Sequence, residues 1–153
     1  GQIGLLQVAA RQLRARCPSL AVLPCFLWSG GDGLADLLPD QELLHGLHAG
    51  QAETSLMLQM APGLVGSARP VDGCPTPGSD QEPPEGWSLE GAAPCAWLTD
   101  DLSATGVIGD ARQASIDLGN RLEERLVSHW QERFQALLAS QWPPTQSLLP
   151  KPS

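Results

Sequence analysis

The sequence predicts a layered α/β/α fold with a mostly parallel sheet that is incomplete at its N-terminal side. Three observations predict it: a helical pattern at residues 3–16, a continuous apolar run at residues 20–28, and strong amphipathic periodicity at residues 111–139. A continuous apolar run of strand length is typical of a strand covered on both faces. A helix followed by such a strand forms the second half of a βαβ unit, whose first strand would precede Gly1.

The first helix is predicted over residues 3–16, and Pro18 is a stop signal beyond it. Apolar residues recur in it at helical spacing, namely Ile3, Leu6, Ala10 and Leu13. The strand at residues 20–28 contains Pro24, which indicates a sheet edge or a bulge because proline cannot donate to a sheet ladder. Residues 29–40 are glycine-rich and predict a loop.

Two further helices are predicted over residues 50–60 and 111–139. The second carries one apolar stripe at a spacing of four residues, made by Leu118, Leu122, Leu126, Trp130 and Phe134. Residues 95–108 return to apolar character after a long polar stretch, which predicts one or two short strands around a turn.

The domain organisation follows from the positions of proline and glycine. Residues 1–140 are expected to form one domain, with a long Pro/Gly-rich excursion at residues 66–95. Residues 141–153 form a Pro-rich tail.

Composition excludes several functional classes. The chain has 153 residues and a formal net charge of −8, which argues against nucleic-acid or membrane-surface partners because both need clustered Lys and Arg. No apolar run approaches the roughly 20 residues of a membrane span, and no signal peptide opens the chain. The four cysteines form no C-x-x-C pair. We therefore expect a cytoplasmic protein with reduced thiols.

The stretch from His45 to Glu53 is the candidate site, because two histidines and a carboxylate lie within nine positions. Glu53 falls at the start of a predicted helix, where free N–H groups and the helix dipole stabilise an anion. A deprotonated oxygen is the donor that a divalent metal needs, and His48 lies on the loop just before it. From these residues alone, the simpler interpretation is that Glu53 is an ordinary first-turn acid and His48 an ordinary loop residue.

Three motifs resemble those of the creatininase family of metal-dependent amidohydrolases. The most specific is His48-Ala49-Gly50-x-x-Glu53-Thr54-Ser55, followed by an apolar helix and Pro62-x-Leu64-Val65. The second is Ser103-x-x-Gly106-Val107-Ile108-Gly109-Asp110, with Ala114 and Gly119 beyond it. Gly1-Gln2, followed by Leu5, Ala9 and Leu13-Arg14, is similar to the segment after the family's Asn-Gly-His-Gly-Gly-Asn turn.

The resemblance implies a binuclear metal centre, commonly zinc with manganese or iron, that activates water to attack an amide-like C–N bond. The implied substrate is a small-molecule amide, non-peptide or cyclic. Glu53 matches the family's metal-binding Glu, and His48 matches either a ligand or a hydrogen-bond donor that supports one. The chain departs from the family at Gln51, a poorer ligand where relatives often have Glu or His, and at Ala111, where the family has proline.

The family's Glu-x-His pair and a downstream Asp, which supply metal ligands, have no counterpart in this sequence. The resemblance therefore implies the C-terminal part only of the family domain, inactive without the missing half. The alternative is a non-catalytic truncated α/β module or an oligomerising remnant. We expect a homo-oligomer, because an incomplete sheet would leave apolar residues of the segment 20–28 uncovered.

Overall fold

The computed structural model describes residues 3–30, 33–75 and 78–144. The chain separates into two compact units, one formed by Gly1–Gly31 with Leu126–Ser153 and the other by Asp32–Arg125. The regular elements within the described ranges are, in chain order, α1 (Ile3–Arg16), α2 (Asp40–His45), α3 (Gln51–Met60), β1 (Val71–Asp72), α4 (Thr99–Leu102), β2 (Gly109–Asp110) and α5 (Ile116–Leu138), with short 3-10 turns at Leu27–Gly30 and Pro62–Leu64. None of these helices has the length and apolar character needed to cross a membrane.

The unit Asp32–Arg125 is built around the packing of α3 on the first turns of α5. Ser55 is fully buried, and its hydroxyl accepts a hydrogen bond from the backbone N–H of Ser115 at 3.1 Å. The Ser115 hydroxyl in turn accepts from the backbone N–H of Leu118 at 3.1 Å, which is how an N-cap residue starts a helix. The apolar core residues of this unit are Leu34, Leu38, Ala52, Leu56, Leu102, Val107, Ile108, Ala111, Leu118 and Leu122.

The sheet is small. β1 and β2 pair antiparallel, with Val71 opposite Asp110 and Asp72 opposite Gly109. The structure is thus a mixture of helices and a small sheet, consistent with the α/β class. The layered, mostly parallel sheet is not found in the described part of the chain, where β1 and β2 are the strands.

The strand predicted at residues 20–28 is wrong. Residues 20–26 have no regular structure, and Leu27–Gly30 form a 3-10 turn. A strand needs a neighbour with which to pair its backbone, and neither described strand pairs with this segment. Leu20 and Leu23 are consequently 45 % and 41 % exposed, so the apolar composition of the run reflects an uncovered surface here rather than a buried strand.

The structure confirms the predicted helices more closely than the predicted strands. α1 has the predicted bounds, and α3 begins one residue later than predicted. α5 begins at Ile116, five residues later, because the cap is Ser115. α2 begins at Asp40, where the predicted loop ends.

In the region 95–108, α4 stands where a strand was expected, and only Ile108 pairs, through an isolated bridge with His48. The excursion at residues 66–95 contains β1 and one bridge, Ser88 with Pro94. Within it, residues 76–77 lie outside the described residues, as do Gly1, Gln2, and residues 145–153 of the predicted tail.

The departure from the family at Ala111 has a structural counterpart. The backbone N–H of Ala111 donates to the carbonyl oxygen of Pro70 at 3.0 Å, which extends the β1–β2 pairing by one bond. Proline, the family's residue at this position, has no N–H and cannot make this bond. Ala111 is also 2 % exposed, so it belongs to the core.

Asp72 ties β1 to the turn that precedes β2. Its Oδ2 accepts four hydrogen bonds at 2.9 Å, from the Ser103 and Thr105 hydroxyls and from the backbone N–H groups of Ala104 and Thr105. These bonds favour the ionised form, and the Thr105 N–H contributes most. The bonds from Thr105 and Ser103, with one from the backbone N–H of Gly73, lower the pKa of Asp72 from 3.8 to about 2. The carboxylate therefore fixes the segment that carries the second family-like motif.

Replacing Asp72 by asparagine should make stability less dependent on pH. Because the pKa of Asp72 is lower in the folded chain than in the unfolded one, its contribution is present above pH 4 and is lost as the pH falls towards 2. Urea unfolding from pH 6 to pH 2 should show that D72N is less stable than the parent at pH 6, with a smaller loss on acidification. D80N, at an exposed position, is the control. Equal pH dependence in D72N and the parent would contradict this assignment.

Candidate functional site

The structure brings the two predicted site residues together. Glu53 lies in the first turn of α3, as expected, and His48 lies on the loop just before it. The distance from His48 Nδ1 to Glu53 Oε2 is 3.7 Å, within ion-pair range for a protonated histidine but too long for a hydrogen bond. The side chains are 62 % and 42 % exposed, so a ligand can reach both.

The backbone between the two residues is held by the motif itself. Ala49 has φ of +51°, a conformation that costs energy for any residue other than glycine. Its N–H donates to Glu53 Oε2 at 2.6 Å, and its carbonyl oxygen accepts from the Thr54 hydroxyl at 2.9 Å. Glu53 therefore has a structural role, because its carboxylate fixes the loop that presents His48.

The backbone of His48 is also held by Ile108, the residue just before β2. Its backbone N–H donates to the carbonyl oxygen of Ile108 at 3.1 Å, and its carbonyl oxygen accepts from the Ile108 N–H at 2.8 Å. Ile108 is fully buried, so the His48 backbone is fastened directly to the core. The imidazole is the exposed part of His48.

Two glycines, one from each motif, make this approach possible. A Cβ on Gly109 would lie 3.0 Å from the Cα of Gly50 and 3.3 Å from the Cα of Gly46. Gly109 also has φ of +146°, where a side chain would be strained. The loop before α3 and the start of β2 therefore pack backbone against backbone, which places the first motif beside the second.

Glu42, on α2, is the important residue that the sequence analysis missed. It is only 7 % exposed, and its Oε1 accepts from the backbone N–H of Ala52 in the first turn of α3 at 2.8 Å. It thus replaces the side-chain cap that Gly50, the N-cap residue, cannot supply. Cβ atoms on Gly46 or Gly50 would lie 2.6 Å from Glu42 atoms, so the glycines leave space for this carboxylate. The sequence signal that could have identified Glu42 is the pair of glycines four and eight residues after it, Gly46 and Gly50.

The Glu42 carboxylate is only half satisfied by the described residues. Its second oxygen, Oε2, is buried and has no hydrogen-bond partner among them. A buried polar atom without a partner costs free energy, so this oxygen destabilises the fold. The other oxygen of Glu42, Oε1, fixes the start of α3, from which Glu53 projects.

The donor types at the site suit a divalent metal, but the set is small. Imidazole nitrogen and carboxylate oxygen both bind zinc, manganese and iron. Among the described residues, no group of three or more His, Cys, Asp and Glu side chains could hold an ion. Asp110 of the second motif is paired with Arg112 at 2.7 Å, a contact that lowers the pKa of Asp110. His48 and Glu53 are thus two candidate ligands, where a zinc site needs three or four.

In a comparison with protein families, the family model described as creatininase, creatinine amidohydrolase, matches residues 1–134. This range includes His48, Glu53, Gly109 and Asp110. No curated protein and no solved structure matched the chain.

Truncating Glu42 should destabilise the start of α3. In E42A the buried N–H of Ala52 loses its acceptor, and we expect the free energy of unfolding to fall by about 1–3 kcal/mol. E42Q keeps an acceptor oxygen and should lose less. Urea unfolding measures the free energy, and hydrogen exchange at the Ala52 amide locates the effect. D40A, an exposed acid on the same helix, is the control. If D40A and E42A were equally mild, Glu42 would not support α3.

Proposed function

The chain belongs to the creatininase family, and from that premise we propose that it contributes His48 and Glu53 to a metal-dependent amidohydrolase site. Membership of the family indicates an amidohydrolase-type function. The proposed substrate is a small-molecule amide with a non-peptide or cyclic C–N bond. The observation that carries the proposal is the 3.7 Å approach of the His48 and Glu53 side chains within the family motif.

Each residue has a role that its surroundings support. The Glu53 carboxylate lies in the first turn of α3, where it offers an exposed oxygen donor beside the loop of His48. Its Oε2 lies 3.7 Å from Nδ1 of His48, so the carboxylate and the imidazole are close enough to face one ion or one substrate. An imidazole can bind a metal or carry a proton to and from a substrate.

Zinc, with manganese or iron, is the metal pair that we propose; when bound, it would lower the pKa of a coordinated water and polarise the amide carbonyl. His48 and Glu53 are the residues of this chain that would hold it. Two ligands are too few for such a centre, so we propose that the remaining ligands come from outside the described residues. On this proposal the described residues alone are inactive.

The alternative is a non-catalytic α/β module. It is favoured by the same shortage: the described residues include no cluster of three potential ligands. The bonds from Ala49 to Glu53 then serve only to shape the loop. Metal binding separates the two proposals, since only the first gives Glu53 a ligand's role.

Self-association is also part of the proposal. Leu20, Leu23 and Leu27 are each more than 40 % exposed. In α1, none of the described side chains is buried. A large exposed apolar surface is typical of an interaction site. A second copy of the chain is the partner that we propose.

Glu53→Gln should weaken zinc binding at least tenfold, because it keeps the shape of the side chain but removes the charged oxygen donor. Zinc is titrated into the protein while the His48 imidazole resonances are followed by NMR and the heat of binding is measured. The matched control is E90Q, an exposed acid in the excursion, which should bind zinc as the parent does.

Three outcomes are informative. Weaker binding in E53Q with a perturbed His48 resonance supports the metal site. Equal zinc affinity in E53Q and the parent removes Glu53 from the ligand set. Two ligands are still enough for weak binding, so absence of any zinc effect on the His48 resonances in the parent would contradict the assignment of His48 and Glu53 as zinc ligands.

A further inference from the structure

The unit formed by Gly1–Gly31 and Leu126–Ser153 has a cavity of its own, with a volume of about 640 Å³. Small-molecule sites are commonly about 300–1,000 Å³ and combine apolar walls with a few polar groups. Neither His48 nor Glu53 lines this cavity. Its walls include Pro18, Val22, Pro24 and Trp142, and its charged groups are Arg11 and Arg14.

Charge is distributed very unevenly along the chain. This unit holds five of the nine basic residues and one of the seventeen acidic residues, Glu132. Its formal charge is therefore +4, whereas the unit Asp32–Arg125 carries −12. The segment 1–28 has three arginines and no acid at all. The cavity thus lies in the one strongly basic part of an acidic protein, where an anion is electrostatically favoured.

The two arginines of the cavity have no carboxylate partner among the described residues. Arg14 donates from Nη2 to the carbonyl oxygen of Pro144 at 3.2 Å, which fixes the guanidinium but leaves its charge uncompensated. Arg11 forms no hydrogen bond or ion pair in the described part of the chain. The two residues are three apart on α1, so they lie on the same side of the helix. Their planar guanidinium groups can donate paired hydrogen bonds to a carboxylate.

We propose that this cavity binds a small anion with a planar apolar body, of the chemical class of aromatic carboxylates. The anionic group would accept hydrogen bonds from Arg11 and Arg14. The apolar body would lie among Val22, the prolines and the indole of Trp142, which offers a large flat surface. The proposal is independent of the amidohydrolase site, because it uses none of the same residues.

The test uses benzoate as the probe and the indole N–H resonance of Trp142, assigned with W142F, as the signal. Benzylamine has the same ring with a positive charge, and inorganic phosphate has the negative charge without the ring. Benzoate should shift the Trp142 resonance saturably, benzylamine should not, and phosphate should bind at least tenfold more weakly than benzoate. Binding should weaken as salt is added.

Substitutions identify the residues responsible. R11Q and R14Q should each weaken benzoate binding about tenfold, the scale of losing a charge-assisted hydrogen bond. R16Q removes the same charge from the same helix at a position that does not line the cavity, and its affinity should stay within about twofold of the parent, as expected for a screened surface charge. Circular dichroism confirms that each variant remains helical.

Several results would overturn the proposal. These are equal effects of benzoate and benzylamine, an equal loss in R16Q and R11Q, or no saturable benzoate binding below about 10 mM, an affinity of less than 3 kcal/mol. The first two would mean that only the general charge or the ring is recognised. A saturable shift that depends on Arg11 and Arg14 but not on Arg16 would establish the site.

Discussion

Where α5 packs on α3, Gly119 leaves no room for a side chain. A Cβ there would lie 2.8 Å from the Cβ of Gln59 and would overlap the carbonyl oxygen of Ser55. The two helix backbones therefore approach more closely than side chains normally permit. This closeness allows the buried Ser55 hydroxyl to accept the Ser115 N–H and Gln59 to donate to Glu123 at 2.9 Å. The larger unit depends on this contact, since it fixes α3 against the longest helix.

The position of the candidate site follows from the position of α3. With one face of the helix fixed by α5, Glu42 fixes its N-terminus through Ala52, and Gly50 lets β2 approach the loop before it. The polar residues of the first motif then act in turn: Glu53 and Thr54 hold Ala49, and Ser55 holds α5. The imidazole of His48 takes part in none of these backbone and packing contacts. The motif that predicted a metal site therefore also supplies packing and backbone contacts that hold the fold.

Sequence reasoning predicted what depends on local pattern. The helices α1, α3 and α5 follow from spacing and end signals within their own residues, and so does the first-turn position of Glu53. The approach of His48 to Glu53 followed from their short separation along the chain.

What depends on distant partners was missed. The apolar run at 20–28 predicted a strand because composition cannot show whether a pairing neighbour exists. The role of Glu42 was missed because it depends on a hydrogen bond from Ala52, ten residues away, and on the space that two glycines leave for the carboxylate. Asp72 acts across more than thirty residues, on a turn that only the folded chain brings to it.

The close packing of α3 on α5 is tested most directly by Gly119→Ala. Because the added methyl meets the backbone of Ser55, which cannot swing away, the free energy of unfolding should fall by about 1–3 kcal/mol or more, the scale of overpacking. Gly4→Ala places the same change in α1, where nothing lies within 4 Å, and should not be destabilising. Urea unfolding of the two variants beside the parent gives the answer. A G119A chain as stable as the parent would contradict the account.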